Sequence, residues 1–137
     1  MSTVLDLTPF SKALERLSEG LEFYRGDPTH TMIRDGLVQR FEFTYDISHK
    51  MLKRYLESVS ATPGAFDAVP FADLIRTANE QGLLLGNWSD WKRYREMRGM
   101  TSHAYNEDIA VEVVAGIPAF LAEAQFLLKQ LQGRCAK

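Results

Sequence analysis

The amino-acid sequence predicts an all-α protein, an antiparallel up-and-down four-helix bundle with an additional short helix. Apolar residues recur at helical spacing over most of the chain. Residues typical of helix starts and ends separate these segments, and neither an alternating strand pattern nor an internal repeat interrupts them. With 45% apolar and 25% charged residues in a chain of 137, one globular domain is expected over residues 1–137.

The first two helices have the strongest periodic patterns. The dipeptide Thr8-Pro9 is expected to start the first helix, with Thr8 as its N-cap, and the helix should run to about Tyr24. The second helix is expected from about Ile33 to Val59. Because its apolar residues occupy two faces, this helix is predicted to be central and packed on both sides.

Turn and capping residues mark the limits of the remaining elements. The segment from Ser60 to Pro70 reads as a long loop, and Pro70 opens a short helix that Gly82 closes. Another helix starts near Asn87. Asn106 is predicted to cap the last helix, which supplies the final apolar face of the bundle.

The charge distribution limits which parts of the chain can bind a nucleic acid. The net charge is −2 and the pI is about 5.9, so any contact with RNA needs a local basic patch. Lys92, Arg93, Arg95 and Arg98 form one, opposed within that window only by Glu96. This patch is either an ordinary solvated helix face or a binding surface, in which we expect Arg95 to contact a nucleotide or RNA.

Cysteine usage and the N-terminal sequence indicate a cytoplasmic protein. The single cysteine, Cys135, has no partner within the chain for a disulfide, which favours a reducing compartment. The N-terminus lacks the basic and apolar tandem of a signal peptide, and no uninterrupted apolar run approaches membrane-spanning length. We therefore expect no membrane partner.

The segment from Arg98 to Tyr105 carries the strongest chemical signal. Arg98 is a permanent cation, His103 belongs to the residue type that titrates near neutrality, and Tyr105 offers a nucleophilic phenol. This combination suits the handling of phosphodiesters or nucleotides. Ser102 lies beside the other groups and is expected to help bind a nucleotide or RNA.

Helix geometry places a condition on this motif. On a continuous helix Arg98 and Tyr105 share a face with Trp91, whereas His103 lies roughly 140° around the axis from Arg98. Arg98 and His103 can meet at one phosphate if the helix ends near Ser102, or if two copies of the chain combine across a two-fold axis. Otherwise His103 is a capping or core histidine and Tyr105 a packed aromatic.

Other enzyme signatures are absent from the sequence. His30 and His49 are too far apart, with too few accompanying ligands, to suggest a metal site. No Gly-rich phosphate loop, GxSxG element or Cys/His pair occurs. We predict no metal and no cofactor.

The arrangement of these residues resembles the nucleotidyltransferase substrate-binding family of HEPN domains, in its HepT-like branch. The resemblance covers nearly the whole chain from the first helix onward. It rests on Arg34-Asp35, Arg40-Phe41-Glu42, Tyr45, Lys50, Leu52-Lys53, Leu56, the segment 70–83, Trp91 and the segment 98–105.

The resemblance implies a HEPN-like helical bundle, a homodimer and a minimal nucleotidyltransferase as partner. In toxin–antitoxin versions the HEPN protein is a metal-independent endoribonuclease, and the nucleotidyltransferase is the antitoxin. Carried over to this chain, Arg98 would stabilise charge on the reacting phosphate and His103 would exchange a proton with the ribose hydroxyl or the leaving oxygen. Tyr105 would accept AMP.

The chain departs from the family pattern at three positions, which keeps other functions open. Gly99 stands where a polar residue, commonly asparagine, follows the arginine; Asp46 and His49 stand where glutamate and tryptophan are usual. The alternative to a ribonuclease toxin is a non-catalytic subunit that binds a nucleotide or substrate for the nucleotidyltransferase. A third alternative is a helical adaptor with an accidental motif.

Overall fold

The computed structural model describes residues 5–135 and confirms the predicted all-α bundle. In this part of the chain it contains five α-helices, two short 3₁₀ turns and no strand. The helices are α1 Thr8–Gly26, α2 Thr31–Val59, α3 Phe71–Glu80, α4 Trp88–Met100 and α5 Glu107–Cys135; the 3₁₀ turns are Pro63–Phe66 and Thr101–His103. The first, second, fourth and fifth helices form the bundle, and α3 is the additional short helix.

Helix α2 is the central element, as its apolar pattern predicts. It packs mainly against α1 and α5 and also contacts α3 and α4. Its residue Phe41 is fully buried and meets Phe120 of α5 edge to face, with ring centroids 5.0 Å apart. The prediction of burial on both faces is only partly correct, because Met51 is buried whereas Phe43 remains 39% exposed.

Side-chain caps define most helix starts. The prediction for Thr8 is wrong: Thr8 is the first helical residue, and its N–H donates to a carboxylate oxygen of Asp6 at 3.0 Å. Asn87 and Asp90 form a reciprocal capping box at the start of α4. Asn106 accepts backbone N–H bonds from the first turn of α5, as predicted.

A buried glutamate fixes the connection between α3 and α4. Glu123 of α5 is 2% exposed, and its two carboxylate oxygens accept the backbone N–H groups of Leu85 and Gly86, both at 2.7 Å. A Cβ atom at Gly86 would lie 2.8 Å from Oε1 of Glu123, so this close approach requires glycine. The chain is therefore held by α5 immediately before Asn87, where α4 begins.

Helix α5 is the most apolar of the five helices. By length and composition alone it could cross a membrane, but half of its most apolar stretch is buried inside the bundle, as in the core helix of a globular protein. Glu112 and Glu123 interrupt its apolar residues, so α5 contains no uninterrupted apolar run of membrane-spanning length.

Candidate functional site

The predicted motif lies at the junction between α4 and α5. Helix α4 ends at Met100, and the chain continues through the 3₁₀ turn Thr101–His103 before Asn106 caps α5. The continuous helix on which Tyr105 would share a face with Arg98 is therefore not formed. The helix ends two residues before Ser102, which matches the first of the two arrangements that allow Arg98 and His103 to act at one phosphate.

The junction presents its polar side chains to solvent. Tyr105 is 87% exposed, and His103 and Ser102 are also exposed. The rings of His103 and Tyr105 have centroids 6.4 Å apart. Tyr105 is thus accessible and not a packed aromatic, and His103 is neither a core histidine nor a helix cap. The space beside Gly99 is open, since a Cβ atom there would meet nothing within 4 Å.

Arg98 points towards α2 and meets two carboxylates there. Its Nε and Nη2 atoms donate to the two oxygens of Asp46 at 2.8 and 3.0 Å, a bidentate pair. Its Nη1 atom lies 3.1 Å from Oε2 of Glu42 and donates to the hydroxyl of Thr101 at 3.1 Å. All three guanidinium nitrogens are therefore engaged within the chain.

This ion-pair network sets the electrostatics around Arg98. The hydrogen bonds that Arg98 donates to Asp46 raise the pKa of Arg98, against the opposing effect of burial, so the guanidinium is permanently charged. Burial raises the pKa of the neighbouring Tyr45 to about 12, which keeps its phenol neutral. Because Asp46 and Glu42 remain 54% and 38% exposed, an incoming phosphate can compete with them for Arg98.

Sequence reasoning missed the three partners of Arg98. Glu42 and Asp46 are separated from it by more than fifty positions, and nothing near Arg98 indicates them. One available signal was the spacing of the two acids, since residues four apart lie on the same face of a helix. Nothing in the sequence distinguishes Thr101, because threonine side chains commonly bond a nearby backbone carbonyl. Its hydroxyl does so here with the Arg98 carbonyl.

The predicted basic patch is not a single surface. The guanidinium of Arg95 lies over the ring of Phe71, 5.0 Å from its centroid. Arg93 reaches α5, where its Nη2 atom lies 3.5 Å from the position of a Cβ atom on Gly116. Arg95 and Arg98 therefore face α2 and α3, whereas Arg93 faces the opposite side of α4.

The other two histidines, His30 and His49, have structural roles outside the candidate site. His30 caps α2, its Nδ1 atom accepting the N–H of Ile33 at 3.2 Å. His49 packs against Phe71 with ring centroids 4.8 Å apart, and burial, followed by the charges of Arg95 and Lys53, lowers its pKa. Among residues 5–135 no group of three or more His, Cys, Asp or Glu side chains is placed to hold a metal ion.

An all-helical bundle whose fourth helix carries Arg98, followed by His103 and Tyr105 in the junction to the fifth helix, is typical of the class of HEPN-like domains. Residues 5–133 match the family model described as "Nucleotidyltransferase substrate binding protein like". The chain belongs to this nucleotidyltransferase substrate-binding protein family.

A sequence match and a structural match, both from Haemophilus influenzae, agree with this family. One, named "Probable ribonuclease HepT", is 43% identical over 99 residues, which cover 72% of this chain and 67% of the relative. The other is the solved structure of HI0074, described as the fold of a substrate-binding domain of a nucleotidyltransferase. It has a TM-score of 0.85 and 34% identity, and the match covers 93% of this chain and 99% of HI0074.

Proposed function

We propose that this protein is a cytoplasmic, metal-independent endoribonuclease toxin that a minimal nucleotidyltransferase neutralises by adenylylating Tyr105. The observation that carries the proposal is the exposed junction where His103 and Tyr105 lie side by side after Arg98. The similarity to a relative named as a ribonuclease, and family membership with substrate-binding proteins of nucleotidyltransferases, support both halves of the proposal.

RNA supplies its own nucleophile, so the site needs only proton transfer and charge stabilisation. The ribose 2′-oxygen attacks phosphorus while His103 accepts the hydroxyl proton, and the 5′-oxygen leaves with a proton from a second histidine. Arg98 exchanges a carboxylate partner for the phosphate and stabilises its additional negative charge. The products are a 2′,3′-cyclic phosphate and a 5′-hydroxyl.

A homodimer would supply the second histidine. Two copies of the junction across a two-fold axis give a composite site with two arginines and two histidines. We expect the purified protein to have a dimer mass in light scattering and to cleave RNA in EDTA, leaving 2′,3′-cyclic phosphate ends. Cleavage that requires a divalent ion, or a strictly monomeric mass at micromolar concentration, would contradict the composite site.

Tyr105 is the proposed acceptor of AMP because its phenol is the exposed nucleophile beside the site. Its oxygen attacks the α-phosphorus of ATP, pyrophosphate leaves, and the phenolic proton passes to a base of the transferase. The attached phosphodiester adds negative charge that competes with RNA for Arg98, so modification should silence cleavage.

Intact-mass analysis after incubation with the partner and ATP tests this assignment. We expect one AMP per chain and none in Tyr105→Phe, with Tyr24→Phe as the matched control that still accepts AMP. An undiminished adduct in Tyr105→Phe would refute Tyr105 as the acceptor.

A second candidate function is a non-catalytic subunit that binds a nucleotide or substrate for the nucleotidyltransferase. One observation favours it: all three nitrogens of Arg98 already have acceptors within the chain. In that case the protein binds nucleotides without degrading RNA or inhibiting growth, which separates the two candidates directly.

A further inference from the structure

A cluster of aromatic side chains lies between the starts of α3 and α4, away from the ion pairs of Arg98. Phe71 and Trp88 begin α3 and α4, and their rings meet edge to face with centroids 5.7 Å apart. The guanidinium of Arg95 lies over Phe71, whose ring also contacts His49. We call Phe71, Trp88 and Arg95 the aromatic–arginine cluster.

Arg95 differs from Arg98 in its availability to an anion. It is exposed, and within residues 5–135 no carboxylate lies within 4.0 Å of it. Stacking on Phe71 occupies one face of the guanidinium, which leaves N–H groups in its plane directed outward. A phosphate can therefore bind Arg95 without displacing an acid.

Trp88 borders an open depression in the surface. The depression has a volume of about 460 Å³, within the range of small-molecule sites. It is lined by Arg76, Asn79, Glu80, Asn87, Trp88 and Ser89. The indole of Trp88 offers a stacking surface for a nucleobase, and the charged Arg76 and Glu80 lie at the same depression. The side chains of Asn79, Asn87 and Ser89 are already bonded within the chain, so stacking is the main contribution of this surface.

The spacing along α4 connects this depression with the proposed site of cleavage. At 1.5 Å per residue, Trp88 lies about 15 Å along the helix axis from Arg98, and Arg95 lies between them. A strand whose reacting phosphate is at Arg98 can thus place another phosphate at Arg95 and a base at Trp88. A duplex cannot, because its bases are paired and stacked on one another.

We propose that the aromatic–arginine cluster and the depression beside Trp88 form a subsite for single-stranded RNA, in which Arg95 binds a phosphate and Trp88 stacks on an unpaired base. This inference deepens the proposed function and rests on it for the placement of the reacting phosphate. It assigns the substrate class as single-stranded RNA.

Binding of a labelled single-stranded oligoribonucleotide to the full-length His103→Ala protein tests the subsite without cleavage. We expect Trp88→Leu and Arg95→Gln each to raise Kd by about tenfold. Arg93→Gln is the matched control, because it removes the same charge from the other side of α4, and its Kd should stay within about twofold of the parent.

The salt dependence of the binding constant separates phosphate binding by Arg95 from base stacking by Trp88. Arg95→Gln should lower the slope of log K against log salt by about 0.7, the effect of one phosphate contact on a single strand, whereas Trp88→Leu should leave the slope unchanged. Trp88→Tyr should retain most of the affinity, because tyrosine also stacks. Circular dichroism confirms that each variant is folded.

The subsite is overturned if Trp88→Leu binds as tightly as the parent, if Arg93→Gln weakens binding as much as Arg95→Gln does, or if duplex RNA of the same length binds equally well. Because these experiments measure binding, their result does not depend on whether the protein is a nuclease. Loss of affinity in Trp88→Leu without any cleavage by the wild-type protein would support the subsite and reject only the ribonuclease.

Discussion

Replacing His103 by alanine is expected to reduce RNA cleavage at least about a hundredfold and to abolish growth inhibition, because the site loses its proton-transfer group. Arg98→Ala should have an effect of similar size, since it removes the cation that stabilises the reacting phosphate. Cleavage rates on a fluorogenic RNA, together with growth after induction in cells, measure both effects.

Both variants should stay folded, because the substituted side chains are not part of the buried core. His103 is exposed and Arg98 pairs with partly exposed acids, so neither substitution should change helicity or lower the free energy of unfolding by more than about 1 kcal/mol. Arg93→Ala, which removes a cation from the other side of α4, should retain full activity. Undiminished toxicity in His103→Ala would end the ribonuclease assignment.

Replacing Glu123 by alanine is expected to give the largest loss of stability among polar substitutions, about 2–4 kcal/mol. The change leaves the N–H groups of Leu85 and Gly86 without their acceptor in a part-buried position and removes packing from α5. Urea unfolding followed by circular dichroism measures it. Glu112→Ala, at an exposed position of the same helix, should stay within about 0.5 kcal/mol of the wild type, and an equally small effect at Glu123 would contradict the anchoring role.

The same residue should give a characteristic dependence of stability on pH. Burial raises the pKa of the Glu123 carboxyl above the ordinary value of 4.5, although the two backbone N–H bonds oppose the shift. Between 4.5 and the raised pKa the folded protein therefore binds more protons than the unfolded chain. In this window the contribution of Glu123 to stability falls as pH rises, and Glu123→Gln should remove that component.

Local patterns in the sequence determined most of the fold. Periodic apolar residues located the helices, and Asn87 and Asn106 marked two helix starts because a side-chain cap acts within a few residues of the chain. The end of α4 was harder to predict. Gly99 is itself helical, and residues 100–104 contain neither glycine nor proline, so no local breaker follows Met100 to mark the end of the helix.

The candidate site was predictable only in part, for a similar reason. Tyr105 has the exposure that an acceptor of AMP needs, whereas the roles of Arg98, His103 and Tyr105 stay predictions. The pairing of Arg98 with Asp46 depends on tertiary packing between α4 and α2, which no local pattern encodes. Glu123 did leave a signal, since it falls three residues after Phe120 on the buried face of α5, where a charge requires partners.

The anchor at Glu123 also determines where the chain can change its length. An inserted residue between Leu85 and Asn87 would either break the bonds to Glu123 or turn α4 by about 100°, carrying Arg95 and Arg98 away from α2. In the loop at residues 60–70 only Phe66 and Val69 pack against the core, and residues 61–65 are exposed. Insertions, affinity tags and family-specific extensions are therefore compatible with that loop and incompatible with the connection before α4.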